Sequence, residues 1–177
     1  GLTEPPDDLP VTTAGRLGIR QWAADTQFIL DQLACWQAEP GHFLNGRLDL
    51  DRLGIFGHSM GGGAALQTVL NQVSCRALLL LDPWLKPFDV AEVEQSLPLP
   101  LLAMMSAGDF GQENEGLAQK LAADNGNDAY VFSIAGTGHY DYSDLPLLSP
   151  ITRLIGAKGP INGRLVARIV NDYTLAF

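Results

Sequence analysis

The residues best equipped for chemistry are Gly57-His58-Ser59-Met60-Gly61, a G-x-S-x-G pentapeptide continued by Gly62 and Gly63. It falls between the short apolar run Leu53–Phe56 and the helix-like stretch Ala64–Val73. In that strand-turn-helix setting a serine is held on a sharply turned backbone as a nucleophile. Glycines two residues to either side of the serine are expected to lack a Cβ so that strand and helix can approach, and Gly62 and Gly63 to let the helix pack tightly on a sheet. The backbone N–H of Met60, at the helix start, faces the same space and could stabilise a developing oxyanion. Glycine-rich turns also cradle phosphate, but neither G-x-x-x-x-G-K-[ST] nor G-x-G-x-x-G is present.

A serine hydroxyl needs a base, and the chain has three histidines. His42 lies in a Pro-Gly loop ahead of the pentapeptide, and His58 sits inside it, where it is expected to pack or hydrogen-bond beside the serine. His139 ends Gly136-Thr137-Gly138-His139 after the last apolar run, where the order nucleophile, acid, base places the base. Two aspartates compete for the acid. Asp82 closes the run Ala77–Leu81 in Leu81-Asp82-Pro83-Trp84, and Asp109 follows the next run in Ser106-Ala107-Gly108-Asp109. Both would stand at carboxyl ends of parallel strands, where sites form. A Gly-Asp turn explains Asp109 simply, whereas nothing local explains Asp82. Trp84, Phe88, Phe110 and Tyr140 fall in loops at the same ends, to line an acyl pocket or to pack as core. Leu145-Pro146-Leu147-Leu148 reads as an exposed apolar loop able to meet lipid or a lid, or simply to pack.

These side chains must be held by regular elements. Ile19, Trp22, Ala23, Phe28, Ile29, Leu33 and Trp36 recur at helical spacing, predicting an amphipathic helix over 17–36. Leu53–Phe56, Ala77–Leu81, Leu99–Met105 and Ala129–Ile134 read as buried strands. Helical stretches are expected at 64–73, weakly at 90–97, then at 115–125 and 164–171. Strands alternating with helices make βαβ units and a parallel sheet.

Composition narrows the classes. With 177 residues, 46% apolar and 18% charged against the roughly 25% usual in soluble domains, the chain suffices for one domain with a core. A net charge of −9 with no Lys/Arg cluster disfavours nucleic acid as a partner and steering to anionic membranes. No apolar run reaches the 18 or so residues of a membrane span. Cys35 and Cys75 have neither metal-ligand nor redox spacing, and both are expected to be buried, inert thiols, with a bridge as the alternative. No His/Cys/carboxylate grouping has ligand spacing, so no metal or other cofactor is expected.

The run Gly54-Ile55-Phe56-Gly57-His58-Ser59-Met60-Gly61-Gly62, the Leu81-Asp82-Pro83-Trp84 turn and Gly138-His139 resemble the platelet-activating-factor acetylhydrolase family, over most of residues 17–177. The resemblance implies an α/β-hydrolase three-layer sandwich with a mostly parallel sheet. It implies Asp82 as the acid beside Ser59 and His139, and an aromatic at Trp84; Tyr140, by its loop position, is expected as a further substrate contact. It also implies cleavage of short acyl esters from phospholipids without calcium, the partner being a small ester or lipid and any membrane contact weak. Bacterial polyester hydrolases and cutinase-like enzymes share Gly-His-Ser-Met-Gly-Gly-Gly and carry their acid where Asp109 stands, which is the alternative. A further alternative is a non-catalytic fragment or binding module of hydrolase fold.

In the resembled fold the nucleophile strand is the fifth of eight, yet here one helix precedes it, and the chain opens on Gly1. The expectation is therefore the C-terminal portion of a single α/β-hydrolase domain over 1–177, holding only the C-terminal half of the sheet, with 1–15 a linker or loop. An upstream part of the same protein would cover the open edge of Leu53–Phe56 and supply the second oxyanion donor. The compartment stays open.

Overall fold

Four strands, β1 (Gly54–His58), β2 (Ala77–Leu81), β3 (Leu101–Ser106) and β4 (Ala129–Ile134), run parallel in the order 1-2-3-4 in the computed structural model. The structure describes residues 10–123, 125–148, 151–154, 156 and 158–177. Parallel strands are covered on both faces and so read as continuous apolar runs, which is what Ala-Leu-Leu-Leu-Leu and Leu-Leu-Ala-Met-Met-Ser are in the two central strands.

Alternate side chains point to opposite faces, and this divides the core in two. Leu78, Leu80, Leu101, Ala103 and Met105 pack on one side with Ile19 of α1 (Val11–Ala38), Leu66 of α2 (Met60–Leu70), Val93 of α3 (Val90–Val93) and Leu121 of α4 (Asp109–Ala123). Leu79, Leu81, Leu102, Met104 and Ile134 pack on the other. There they meet Tyr142 and, beyond the short helices α5 (Leu145–Leu148) and α6 (Ile151–Leu154), Ile169 and Val170 of α7 (Gly163–Ala176). The result is a helix-sheet-helix sandwich.

The differences from the sequence expectation sit at element ends. The first helix begins at Val11, so residues 11–15 are helical rather than linker; the remainder of 1–15, apart from Pro10, lies outside the described residues. Val11, Thr12 and Thr13 are poor helix formers, but Pro10 suits a helix entry. Packing decides the rest: a Cβ on Gly15 would come within 2.3 Å of the Trp84 ring. The strand β1 runs on through Gly57 and His58, and α2 starts at Met60, so the turn is Ser59 alone. Leu145–Leu148 is a helix, not a loop, with Leu148 77% exposed. Cys35 is exposed rather than buried, and Cys75 is half-buried; both are free thiols.

Among the described residues no strand pairs with the outer edge of β1. Phe56 is 71% exposed there, beside Trp22 and Ile29 of α1, in a shallow groove of about 340 Å³.

Candidate active site

Ser59 adopts φ 58°, ψ −125°, a conformation that non-glycine residues hold only when the surroundings impose it. The imposition is visible. Its N–H donates to Leu81 O at 3.1 Å, and its carbonyl accepts from Gly62 N (3.0 Å), Gly63 N (3.2 Å) and Trp84 N (2.8 Å). The turn is thereby tied to the exit of β2. A Cβ on Gly57 would meet Gly61 O at 2.2 Å, and Cβ atoms on Gly62 and Gly63 would press on Pro83, Trp84 O and Ile19. Gly61 is the exception among the expected glycines, because a Cβ there meets nothing within 4 Å.

Asp82 closes β2 with φ 41° and its N–H on Met104 O at 2.7 Å. It has no solvent exposure. One carboxylate oxygen accepts the Ser106 N–H at 2.7 Å and the other lies 2.7 Å from His139 Nδ1. His139 Nε2 in turn stands 2.8 Å from Ser59 Oγ. A carboxylate only accepts, so Nδ1 carries the proton and Nε2 is free to accept from the serine hydroxyl. Asp109 is exposed at the first turn of α4, and the aspartate on His139 is Asp82. The N–H of Met60 is at the first position of α2, where the helix offers it no acceptor.

The loop carrying His139 is pinned from several sides. Thr137 Oγ1 donates to Ile134 O at 2.6 Å and accepts from Ala107 N at 3.3 Å, and Tyr142 Oη donates to Met105 O at 2.6 Å. Burial pushes the Tyr142 hydroxyl well above its ordinary range, which keeps it a donor. The His58 ring lies against that of His139 with centroids 4.6 Å apart, and it donates Nε2–H to His139 O at 2.9 Å. Burial, and secondly the charge of His139, lower its pKa below the ordinary 6.5 and favour the neutral ring.

Of the aromatics expected in loops, Phe110 instead lies in the first turn of α4, its ring tilted by 41° to that of His139 with centroids 3.8 Å apart, and Tyr140 meets the same imidazole edge-on at 5.2 Å. Trp84 is half-buried against Gly15. Phe88 belongs to the core, with Arg16 over its ring. His42 stacks on Trp36 and accepts the Leu44 N–H, shaping the turn after α1. Sequence reading missed the role of Phe110 as the ring over the imidazole, and that of Asp141, a buried carboxylate on the loop. Neither has a spacing signature, although Gly136, Gly138 and Gly159 mark where that loop is crowded. Among the described residues no group of three or more His, Cys, Asp or Glu could hold a metal ion, and no helix is long and apolar enough to cross a membrane.

With this geometry in place, residues 38–177 match the family described as platelet-activating factor acetylhydrolase, isoform II. The chain belongs to that family. Platelet-activating factor acetylhydrolase of Cavia porcellus is 26% identical over 136 residues, which are 76% of this chain and 31% of that protein. A bis(hydroxyethyl) terephthalate hydrolase of Streptomyces coelicolor is 46% identical over 41 residues, 23% of this chain and 13% of that protein. The chain thus spans about a third of the length of the acetylhydrolase it matches. A ferulic acid esterase from Streptomyces cinnamoneus superposes with a TM-score of 0.68 at 22% identity, covering 95% of this chain and 48% of that one. The family member described here therefore has the fold of part of an α/β-hydrolase.

Proposed function

We propose that the protein is a serine carboxylic-ester hydrolase acting on short acyl esters, in which Ser59 is the nucleophile, His139 the base and Asp82 the acid. The observation that carries this reading is the unbroken chain of bonds from Ser59 Oγ through His139 to Asp82, at 2.8 and 2.7 Å. Ser59 Oγ attacks the ester carbonyl as His139 Nε2 takes its proton, and the oxyanion forms against the Met60 N–H. Collapse expels the alcohol, which receives the proton from His139 and leaves an acyl-Ser59 ester. Water, deprotonated by His139, then attacks that ester to release the acid and restore the serine. Asp82 holds Nδ1–H and offsets the imidazolium charge.

The acetylhydrolase relatives' names point to an acetyl ester as substrate, and a phospholipid carrying it is the reading that the family resemblance suggests. Tyr140, 46% exposed with its ring edge-on to His139, and Trp84, whose N–H donates to the Ser59 carbonyl, are the residues we assign to the acyl site. The exposed leucines of α5, Leu145, Leu147 and Leu148, give a lipid a weak apolar surface to rest on. We read the 177 residues as the C-terminal portion of one domain. The open β1 edge with Phe56 uncovered fits a sheet continued by an upstream part of the same protein, which would bring the second oxyanion donor. A second reading, hydrolysis of an aromatic diester, is favoured by the 46% identical segment shared with the terephthalate hydrolase.

The test is turnover by the complete protein of p-nitrophenyl esters from two to sixteen carbons, a 2-acetyl glycerophosphocholine and bis(hydroxyethyl) terephthalate. Activity confined to the shortest acyl groups and abolished in Ser59→Ala is expected. Preference for the terephthalate supports the second reading, and activity surviving Ser59→Ala contradicts both.

A further inference from the structure

Asp141 is a buried carboxylate for which the proposed chemistry has no use. Its side chain has no solvent exposure, and it sits two residues after His139. Oδ2 accepts two backbone N–H groups, from Gly138 at 2.8 Å and from Gly159 at 2.7 Å. Oδ1 has no hydrogen-bond partner. The nearest cation, Lys158 Nζ, stands 3.8 Å from it and spends its protons on the carbonyls of Gly159 and Ile161. One oxygen therefore joins the residue immediately before His139 to a segment that lies 18 residues downstream of Asp141.

That segment is pressed against the same loop by shape as well. A Cβ on Gly159 would come within 2.1 Å of Gly136 O and 2.8 Å of Gly138 N, and Ile161 N donates to Gly136 O at 3.2 Å. The loop 136–139 is thus held between the end of β4 and the 158–161 strap, with Asp141 as the clasp. A carboxylate oxygen taking two backbone N–H groups is among the stronger backbone anchors available. Its direction matters because the imidazole must meet Asp82 on one side and Ser59 on the other at once.

We propose that Asp141 is a positioning residue for His139, clasping Gly138 to Gly159 so that both ring nitrogens stay in bonding range. The inference rests on His139 being the base in the reading above. It predicts that loosening the clasp lowers kcat far more than KM, because an imidazole misplaced by about 1 Å costs on the order of a hundredfold. Asn keeps a carbonyl oxygen able to accept both N–H groups, whereas Ala does not.

The experiment compares Asp141→Ala, Asp141→Asn and Gly159→Ala in the complete protein. It reads kcat and KM on p-nitrophenyl acetate, thermal stability, and the low-field proton resonance of His139 Nδ1–H, assigned by its loss in His139→Gln. In Asp141→Ala the expected result is kcat lowered roughly 10- to 100-fold, KM within about twofold and the resonance broadened. Asp141→Asn should restore both signals. Gly159→Ala, which keeps every hydrogen-bonding group but crowds Gly136 O, should behave like Asp141→Ala and decides the matter if that variant does not fold. Loss of thermal stability with kcat and the resonance intact in Asp141→Ala or Gly159→Ala overturns the proposal. Absence of any Ser59-dependent turnover in the wild type counts against the hydrolase reading instead, and the resonance, which needs no turnover, still judges the clasp.

Discussion

His139 Nδ1 stands 2.7 Å from Oδ2 of Asp82, a fully buried aspartate with positive φ at the first position after β2. The second oxygen of that aspartate is occupied by Ser106 N–H, so the carboxylate cannot swing away without orphaning a buried donor. Asp82→Asn should lower kcat/KM by about 10⁴, the size seen when a triad base is held in the wrong tautomer. Asp109→Asn, at an exposed helix start, should change it by less than about twofold. Steady-state kinetics on p-nitrophenyl acetate separates the two, and equal losses would contradict the assignment of the acid.

Gly57 and Gly116 set opposite expectations for the same substitution. Gly57→Ala places a methyl 2.2 Å from the Gly61 carbonyl, backbone against backbone, and should cost more than about 2 kcal/mol. Gly116→Ala meets nothing within 4 Å on α4 and should stabilise by about 0.5–1 kcal/mol. Urea unfolding midpoints check both signs.

His58 ties acid stability to the site. Its pKa is lowered by burial and by His139, so between that lowered value and the ordinary 6.5 the folded state binds fewer protons than the unfolded chain. Stability then rises with pH across that window and is lost as the pH falls through it. His58→Gln keeps a donor for the His139 carbonyl but does not titrate. Between about pH 7.5 and pH 5 the variant should lose less stability in urea than the wild type. Equal losses would show that His58 is not the titrating group.

Phe110 covers the imidazole at 3.8 Å between centroids. A ring facing a developing imidazolium contributes about 0.5–2 kcal/mol, so Phe110→Leu should lower kcat by roughly 2- to 30-fold. Thermal unfolding controls for packing, and an unchanged kcat would remove Phe110 from the site.

Much of this arrangement was readable in the chain itself. The run of leucines before Asp82 marks a buried central strand, and a polar residue closing such a strand has few destinations, which is why it stood out against Asp109. The pentapeptide marks the turn at Ser59 because Gly57 answers to a backbone contact with Gly61, although Gly61 itself leaves room for a Cβ. Helix entries were less legible. Val11-Thr12-Thr13 is a weak local former whose helicity comes from tertiary contact, Gly15 on Trp84, and Asp109 reads as a turn residue until α4 is seen to begin on it. The contact of Phe110 with the imidazole and the part played by Asp141 are not legible because a ring beside an imidazole and a clasp between loops are relations across distant segments, and no period in the sequence encodes them.

Rapid quenching of the complete protein after mixing with p-nitrophenyl acetate, followed by peptide mass mapping, asks directly where the acyl group is held. A single acetyl on Ser59, accumulating before steady state and absent from Ser59→Ala, is the expected result. An acetyl on another residue, or release of p-nitrophenol by Ser59→Ala at the wild-type rate, would contradict the assignment of Ser59 as the nucleophile.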